Sequence, residues 1–273
     1  MNRIDTTLAQ LNAQGKKMLS PYITAGDPTP ELTVALMHEL VRSGANIVEL
    51  GIPFSDPMAE GPVIQQAMER ALAHSVRCKD VLAMVSEFRK KDDKTPIIIM
   101  GYLNPIEQYG YESFAKDAVA AGVDGTILVD LPPEESQSIA AIWKSHGLYS
   151  IFLCSPTTSD DRLALISRQA QGYLYYVSLK GVTGANALDI DTLKAQYNRI
   201  KSQVNLPLMV GFGIKTAQMA SDVAGFADGV IVGAALITQI IDAYKANTNC
   251  LEAAHTLLSA MRTAMDTYGT YND

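Results

Sequence analysis

At 273 residues, with 48% hydrophobic and 19% charged residues, the chain has the profile of a packed globular protein, and a disordered one is excluded. A formal net charge of -7 with dispersed Lys and Arg offers no basic stripe for a phosphodiester backbone, so nucleic acid is not expected as a partner. No run of about 18 apolar residues is long enough to span a membrane, the opening MNRIDTTLAQLNAQGKK lacks a secretory apolar segment, and three scattered cysteines, Cys78, Cys154 and Cys250, form no disulfide framework; a cytoplasmic protein is expected.

In chain order, a helix is expected over residues 4–14, before the first apolar, β-branched run at 18–24. Further such runs follow at 46–50, 96–101, 125–129, 148–153, 172–177, 206–210 and 229–232, which makes eight candidate strands. Between them, helical periodicity marks 31–42, 63–73, 111–121, 134–146, 159–168, 192–202 and 216–223. Residues 234–243 and 251–267 continue as helix after the last strand. The mixed run RKKDDK at 89–94 reads as the solvated end of an amphipathic helix.

Strands apolar along their whole length and separated by crossover helices imply a parallel sheet covered on both faces. Eight regular units without GxGxxG after the first strand favour an α/β fold consisting of one (β/α)8 TIM barrel, with extra N-terminal and C-terminal helices, over an open doubly wound sheet. No linker or composition break divides the chain, so residues 1–273 are expected to form one domain.

In such barrels the chemistry sits where strands end. Glu49 lies in the apolar string NIVELGIPF, where a charged, unpaired carboxylate would cost several kcal/mol. A structural carboxylate paired to backbone or Arg is one reading. The following PFSDPMAEGP adds Asp56 and Glu60 beside the same strand end, and grouped acids suit a split of pKa values and proton transfer, although glycosidases also pair carboxylates. Late in the chain come GVTG at 181–184, GFG at 211–213 and VGAA at 232–235. A single glycine pair is usually a tight turn, but three after the last strands fit a phosphate site completed by the N-terminus of the 234–243 helix. Tyr22, Met100, Tyr102, Leu153, Tyr175 and Phe212 fall near strand ends; each suits core packing, and together they could line a flat apolar slot. His38, His74, His146 and His255 lie in helical segments without metal-ligand spacing, so no metal is expected.

The strings PYITAGDP, VELGIPFSDPMAEGPVIQ, GYLNP, VDLPPEE, SLKGVTG and GFGI, in that order, resemble the alpha subunits of tryptophan synthase over nearly the whole chain, residues 48–65 most specifically. The resemblance implies retro-aldol cleavage of indole-3-glycerol phosphate to indole and glyceraldehyde 3-phosphate, without a cofactor in this chain. It also implies a pyridoxal phosphate (PLP)-containing beta subunit as partner in an alpha2beta2 tetramer. By the same resemblance Glu49 is the general acid/base, and Glu60 stands where the family usually places an aspartate that accepts the indole N–H. Tyr22, Tyr175 and Phe212 match pocket positions. Thr183 matches a loop residue that closes over substrate, and Gly184, Gly213, Gly233 and Ala234 match the phosphate site. Asp56, Pro57, Asn104, Pro105 and Pro132 fall in loops resembling those that meet the beta subunit. Three departures stand out: Glu60, Ala234 in place of a frequent hydroxyl residue, and Leu179–Lys180 near an arginine of some members. Lys180 is no Schiff-base candidate, because this substrate presents no ketone. A regulatory subunit weakened by Glu60, a stand-alone indole-releasing lyase and a sugar-phosphate isomerase are the competing readings, the last disfavoured because both acids flank one loop.

Overall fold

The structure, a computed structural model, describes residues 2–178, 190–211 and 213–267. Among them the strands are β1 (Met18–Thr24), β2 (Val48–Gly51), β3 (Ile97–Gly101), β4 (Gly125–Leu128), β5 (Tyr149–Ser150), β6 (Phe152–Cys154), β7 (Leu174–Val177), β8 (Leu208–Gly211) and β9 (Gly229–Val232). The helices are α1 (Arg3–Ala13), α2 (Pro30–Arg42), α3 (Pro62–Ala73), α4 (Cys78–Arg89), α5 (Leu103–Tyr109), α6 (Tyr111–Ala121), α7 (Gln137–His146), α8 (Asp160–Gln169), α9 (Ile190–Lys201), α10 (Ala217–Ala224), α11 (Ala234–Lys245) and α12 (Cys250–Thr267).

All strand pairs are parallel, in the order β5-β4-β3-β2-β1-β9-β8-β7-β6. The two ends of this order, β5 and β6, are separated in sequence by Ile151 alone. The Ile151 N–H donates to Thr126 O at 2.9 Å on one side, and Ser150 O accepts from Gln171 N at 3.0 Å on the other. One segment thus bonds both neighbours and closes a TIM barrel. The eight expected strands become nine because the fifth hands over at Ile151 from β4 to β7, a step that the stagger of a closed barrel accommodates.

Alternate strand positions feed two separate cores. Leu19, Ile23, Val48, Leu50, Ile97, Ile99, Leu174, Tyr176, Leu208, Val210, Val230 and Val232 pack outward beneath the helices. Met18, Tyr22, Ile98, Met100, Ile127, Ile151, Tyr173, Met209 and Ile231 pack inside the barrel. Ile4 and Leu11 of α1 join the interior cluster. Asn2 Nδ2 donates to Asp124 O at 2.9 Å, and Tyr149 OH donates to Asp5 Oδ2 at 2.6 Å. These partners lie just before or at the start of strands, so α1 covers the amino-terminal end of the barrel and leaves the opposite mouth for the site.

Three local expectations are corrected. Helix α4 was marked only as the amphipathic stretch before RKKDDK; Asp80 Oδ2 accepts the Arg77 N–H at 2.9 Å and starts it. Its last residue, Arg89, turns inward to Asp124, Gly122 O and Thr95 O instead of facing solvent. Helix α5 was not anticipated, and it places Asn104 and Pro105 in a first helical turn instead of a loop; proline is tolerated there because that N–H has no helical acceptor, and Asp130 Oδ1 accepts the first N–H, from Leu103, at 2.7 Å. Helix α7 starts at Gln137, not at 134, because the Ser136 hydroxyl closes a turn onto Pro133 O at 3.0 Å.

Candidate active site

Strand β2 delivers Glu49 to the barrel interior because its neighbours Val48 and Leu50 take the outward positions. The side chain has no exposed surface. Its Oε1 accepts hydrogen bonds from Ser20 Oγ at 3.1 Å and from Tyr173 OH at 3.0 Å. Its Oε2 has no hydrogen-bond partner among the described residues. Burial pushes the Glu49 carboxyl up to about 8, the Tyr173 and Ser20 hydroxyls pull it down, and the Glu60 charge pushes it further up. The group is therefore mostly protonated at neutral pH and can give or take a proton.

Glu60 sits on the loop between β2 and α3, partly buried, and burial raises its carboxyl to about 7. The backbone around it is pinned. Tyr102 OH accepts the Ala59 N–H at 3.0 Å, Gln65 Nε2 donates to Glu60 O at 2.8 Å, and Glu60 N donates to Pro57 O at 3.0 Å. Phe54 stacks on the Tyr102 ring with centroids 5.2 Å apart. Burial first, with the charges of Glu60 and Asp130, lifts the Tyr102 phenol to about 12 against the lowering effect of the Ala59 hydrogen bond.

Tyr22 is the register partner of Glu49 across β1 and β2. Its hydroxyl lies 3.2 Å from Thr24 Oγ1 and occupies the space a side chain at Gly51 would fill. The Tyr175 hydroxyl fills the corresponding space at Gly211. Burial holds both phenols well above their usual range, and the charges of Glu49 and Glu60 act on both in the same direction. The two acids and the two phenols thus share one chamber. Met100 and Leu153 line the same interior cluster.

The loops after neighbouring strands β8 and β9 carry Gly213 and Gly233. Gly213 has φ +83, a left-handed conformation that favours glycine. Gly233 is the N-cap of α11, whose first residue is the exposed Ala234, so the first-turn N–H groups, which have no acceptor within the helix, face the mouth. Thr183, Gly184 and Phe212 lie outside the described residues, as do Leu179 and Lys180. Asp56 and Pro57 follow β2, Asn104 and Pro105 follow β3, and Pro132 follows β4; because these strands are neighbours in the sheet, the five residues occupy one arc of the rim. Met58 stands on the same arc with 79% of its surface exposed.

Among the described residues no three or more His, Cys, Asp or Glu side chains come together as a metal site, and no helix is long and apolar enough to cross a membrane. His38 stacks on Phe88, and His146 and His255 meet Glu112 and Glu39.

A profile of the family "Tryptophan synthase alpha chain" matches residues 8–266. The chain belongs to the tryptophan synthase alpha chain family. It is 69% identical over 270 residues to the tryptophan synthase alpha chain of Legionella pneumophila (strain Lens), with 99% of each chain covered. It is 52% identical to that of Nitrosococcus oceani, over 97% of this chain and 98% of the relative. The crystal structure of the alpha chain from Legionella pneumophila subsp. pneumophila superposes with a TM-score of 0.94 at 66% identity, covering 99% of both chains. A tryptophan synthase structure from M. tuberculosis superposes at 0.86 with 32% identity, over 97% of this chain and 100% of that one. The family expectation drawn from the motifs is met in both sequence and fold.

Ser20 and Tyr173 were not among the expected site residues. Each stands two positions before a residue that was, Tyr22 and Tyr175, on the same inward face, and that period of two was the available signal.

Proposed function

We propose that Glu49 and Glu60 carry the reaction of the tryptophan synthase alpha chain family, the lyase cleavage of indole-3-glycerol phosphate into indole and glyceraldehyde 3-phosphate. The observation that carries this reading is the fully buried Glu49 carboxyl, raised to about 8, with one oxygen held and the other unpartnered beside a second raised acid, Glu60. A neutral carboxylic acid in the chamber protonates indole C3. The resulting carboxylate takes the proton of the side-chain hydroxyl as the carbon–carbon bond breaks. Glu60 accepts the indole N–H and stabilises the positive charge that develops on the ring. Tyr22, Met100, Leu153 and Tyr175 enclose the indole, with Tyr102 bracing the Glu60 loop. Gly213, Gly233 and the N-terminus of α11 receive the phosphate.

Family membership implies a beta-subunit partner, which carries the PLP. We assign its contact to the rim arc of Asp56, Pro57, Asn104, Pro105 and Pro132, with Met58 as its exposed apolar member, in an alpha2beta2 assembly.

The test is indole release from indole-3-glycerol phosphate by wild type, Glu49→Gln and Glu60→Asp, each with and without a beta subunit. Wild type should turn over and Glu49→Gln should be inactive. Because Tyr102 and Gln65 pin the loop, the shortened Glu60→Asp carboxylate cannot follow the substrate inward, and its rate should drop by up to about 10²-fold. A silent wild type with an active Glu60→Asp would instead make the chain a regulatory subunit.

A further inference from the structure

The two oxygens of Glu49 have unequal surroundings. Ser20, Glu49 and Tyr173 all have 0% exposure, and both hydroxyls converge on Oε1, at 3.1 and 3.0 Å, while Oε2 has no partner among the described residues. In a neutral carboxylic acid the carbonyl oxygen is the better acceptor, so two donors on Oε1 favour the proton on Oε2. Ser20 precedes Tyr22 on β1 and Tyr173 precedes Tyr175 by the same two positions, so the donors form the interior layer nearer the amino-terminal ends of the strands. The tyrosines of the chamber form the next layer toward the mouth.

We infer that Ser20 and Tyr173 are positioning residues that anchor Oε1 of Glu49 and thereby make Oε2 the single atom through which the proton passes to and from the substrate. This rests on Glu49 being the acid/base of the proposed reaction. The Oε2–H bond breaks as the C–H bond forms at indole C3, and the charge left on the carboxylate spreads onto Oε1, where two donors hold it. The substrate hydroxyl then returns a proton to Oε2, so Glu49 ends as it began. The groups facing Glu49 are Ser20 and Tyr22 from β1, Glu60 from the following loop, and Tyr173 and Tyr175 from the β7 segment. No cation pairs with it among the described residues, so its ionised form depends on these two hydroxyls.

The experiment compares wild type, Ser20→Ala, Ser20→Thr, Tyr173→Phe and Glu49→Gln in the full chain with beta subunit. Three readouts are taken: kcat and KM, the pH profile of kcat, and the infrared carbonyl band of protonated Glu49, identified by its absence in Glu49→Gln. Ser20→Ala and Tyr173→Phe should each lower kcat about ten- to hundredfold with KM little changed, as expected for loss of a hydrogen bond to a charged group. The pH limb that belongs to Glu49 should move upward by about one unit. The carbonyl band should shift to higher frequency and persist to higher pH, because both lost hydroxyls favour the ionised form. Ser20→Thr, which keeps a hydroxyl, should restore the wild-type profile. An unchanged profile and band in both Ser20→Ala and Tyr173→Phe, with Glu49→Gln inactive, overturns the anchor alone. Wild-type turnover by Glu49→Gln overturns the acid/base reading beneath it. The infrared band reports on the anchor even in a variant too slow to assay.

Discussion

With no exposed surface and two hydroxyls as its hydrogen-bond donors among the described residues, Glu49 keeps its proton up to about pH 8 in the folded chain, whereas an unfolded glutamate loses it at about pH 4.3. Between those limits the folded state binds more protons than the unfolded one, so this residue's contribution to stability falls as pH rises through the window and levels off above it. Glutamine has the same shape, accepts at the same oxygen and does not titrate. Glu49→Gln should therefore gain stability relative to wild type as pH is raised from about 5 to about 8, by an amount on the order of a few kcal/mol. Urea denaturation at several pH values measures it. A difference between the two proteins that stays constant across that range would contradict the burial of a neutral acid. Glu60 is raised as well, to about 7, but it is partly exposed and present in both proteins, so it does not produce the difference.

At the scale of elements, β1 and β2 meet so closely beside the chamber that the Tyr22 ring uses the volume of the missing Gly51 side chain. Glycine is required there for space, not for backbone freedom, since no left-handed φ is found at Gly51. Gly51→Ala must displace the Tyr22 phenol from its place in the chamber. It should raise KM, lower kcat and cost about 1–3 kcal/mol of stability, in line with overpacked cores. Tyr22→Phe in the same chain removes the closest overlap, at the phenol oxygen, and should recover part of both losses, since the ring carbons Cζ and Cε2 still crowd the added methyl. Thermal melts and steady-state kinetics of the single and double variants decide the matter; a double variant as impaired as Gly51→Ala would show that the overlap is not the cause. Elements also account for what the sequence left unread. Helix α5 contains Pro105 within GYLNP, a pattern that reads as a turn, and it forms because Asp130, from the loop after β4, accepts its first N–H across space. That acceptor is distant in sequence, so no local rule could supply it.

For the whole molecule, the amino-terminal end of the barrel is held by one buried carboxylate. Asp124, with its side chain 3% exposed, accepts from Arg3 Nη1 at 2.9 Å, Arg89 Nη2 at 2.8 Å and the Ile97 N–H at 2.8 Å. It ties α1 and α4 to β3. Arg89, only 10% exposed, would be left charged without its carboxylate partner, a loss that costs about 3–5 kcal/mol in comparable sites. Arg89 keeps three backbone carbonyls, of Gly122, Asp92 and Thr95, so Asp124→Ala should lower unfolding stability by about 3 kcal/mol, at the small end of that range. Because the chamber opens at the other end of the barrel, the pH profile of kcat should be unchanged. Denaturant melts and a pH–rate series check both halves, and a shifted profile would mean that the two ends are coupled.

Much of the barrel was readable from residue order alone, since β1 and β9 run over the residues expected and the alternation of apolar runs with helical periods needs only local rules. Glu49 was readable too, because one carboxylate in NIVELGIPF conflicts with its surroundings, and the motif string carried the family. Which strand face points inward was not readable. Both faces of a barrel strand are apolar, one toward the helices and one toward the interior, so hydropathy is blind to the choice. Closure and register made that choice. They brought Ser20 and Tyr173, 153 positions apart in the chain, onto one oxygen of Glu49, and they set the Tyr102 hydroxyl against the backbone of Ala59. Sequence determined which groups can exchange a proton; only the folded barrel, by excluding water and fixing donors from distant strands, decided which carboxyl stays neutral and which of its oxygens is left free.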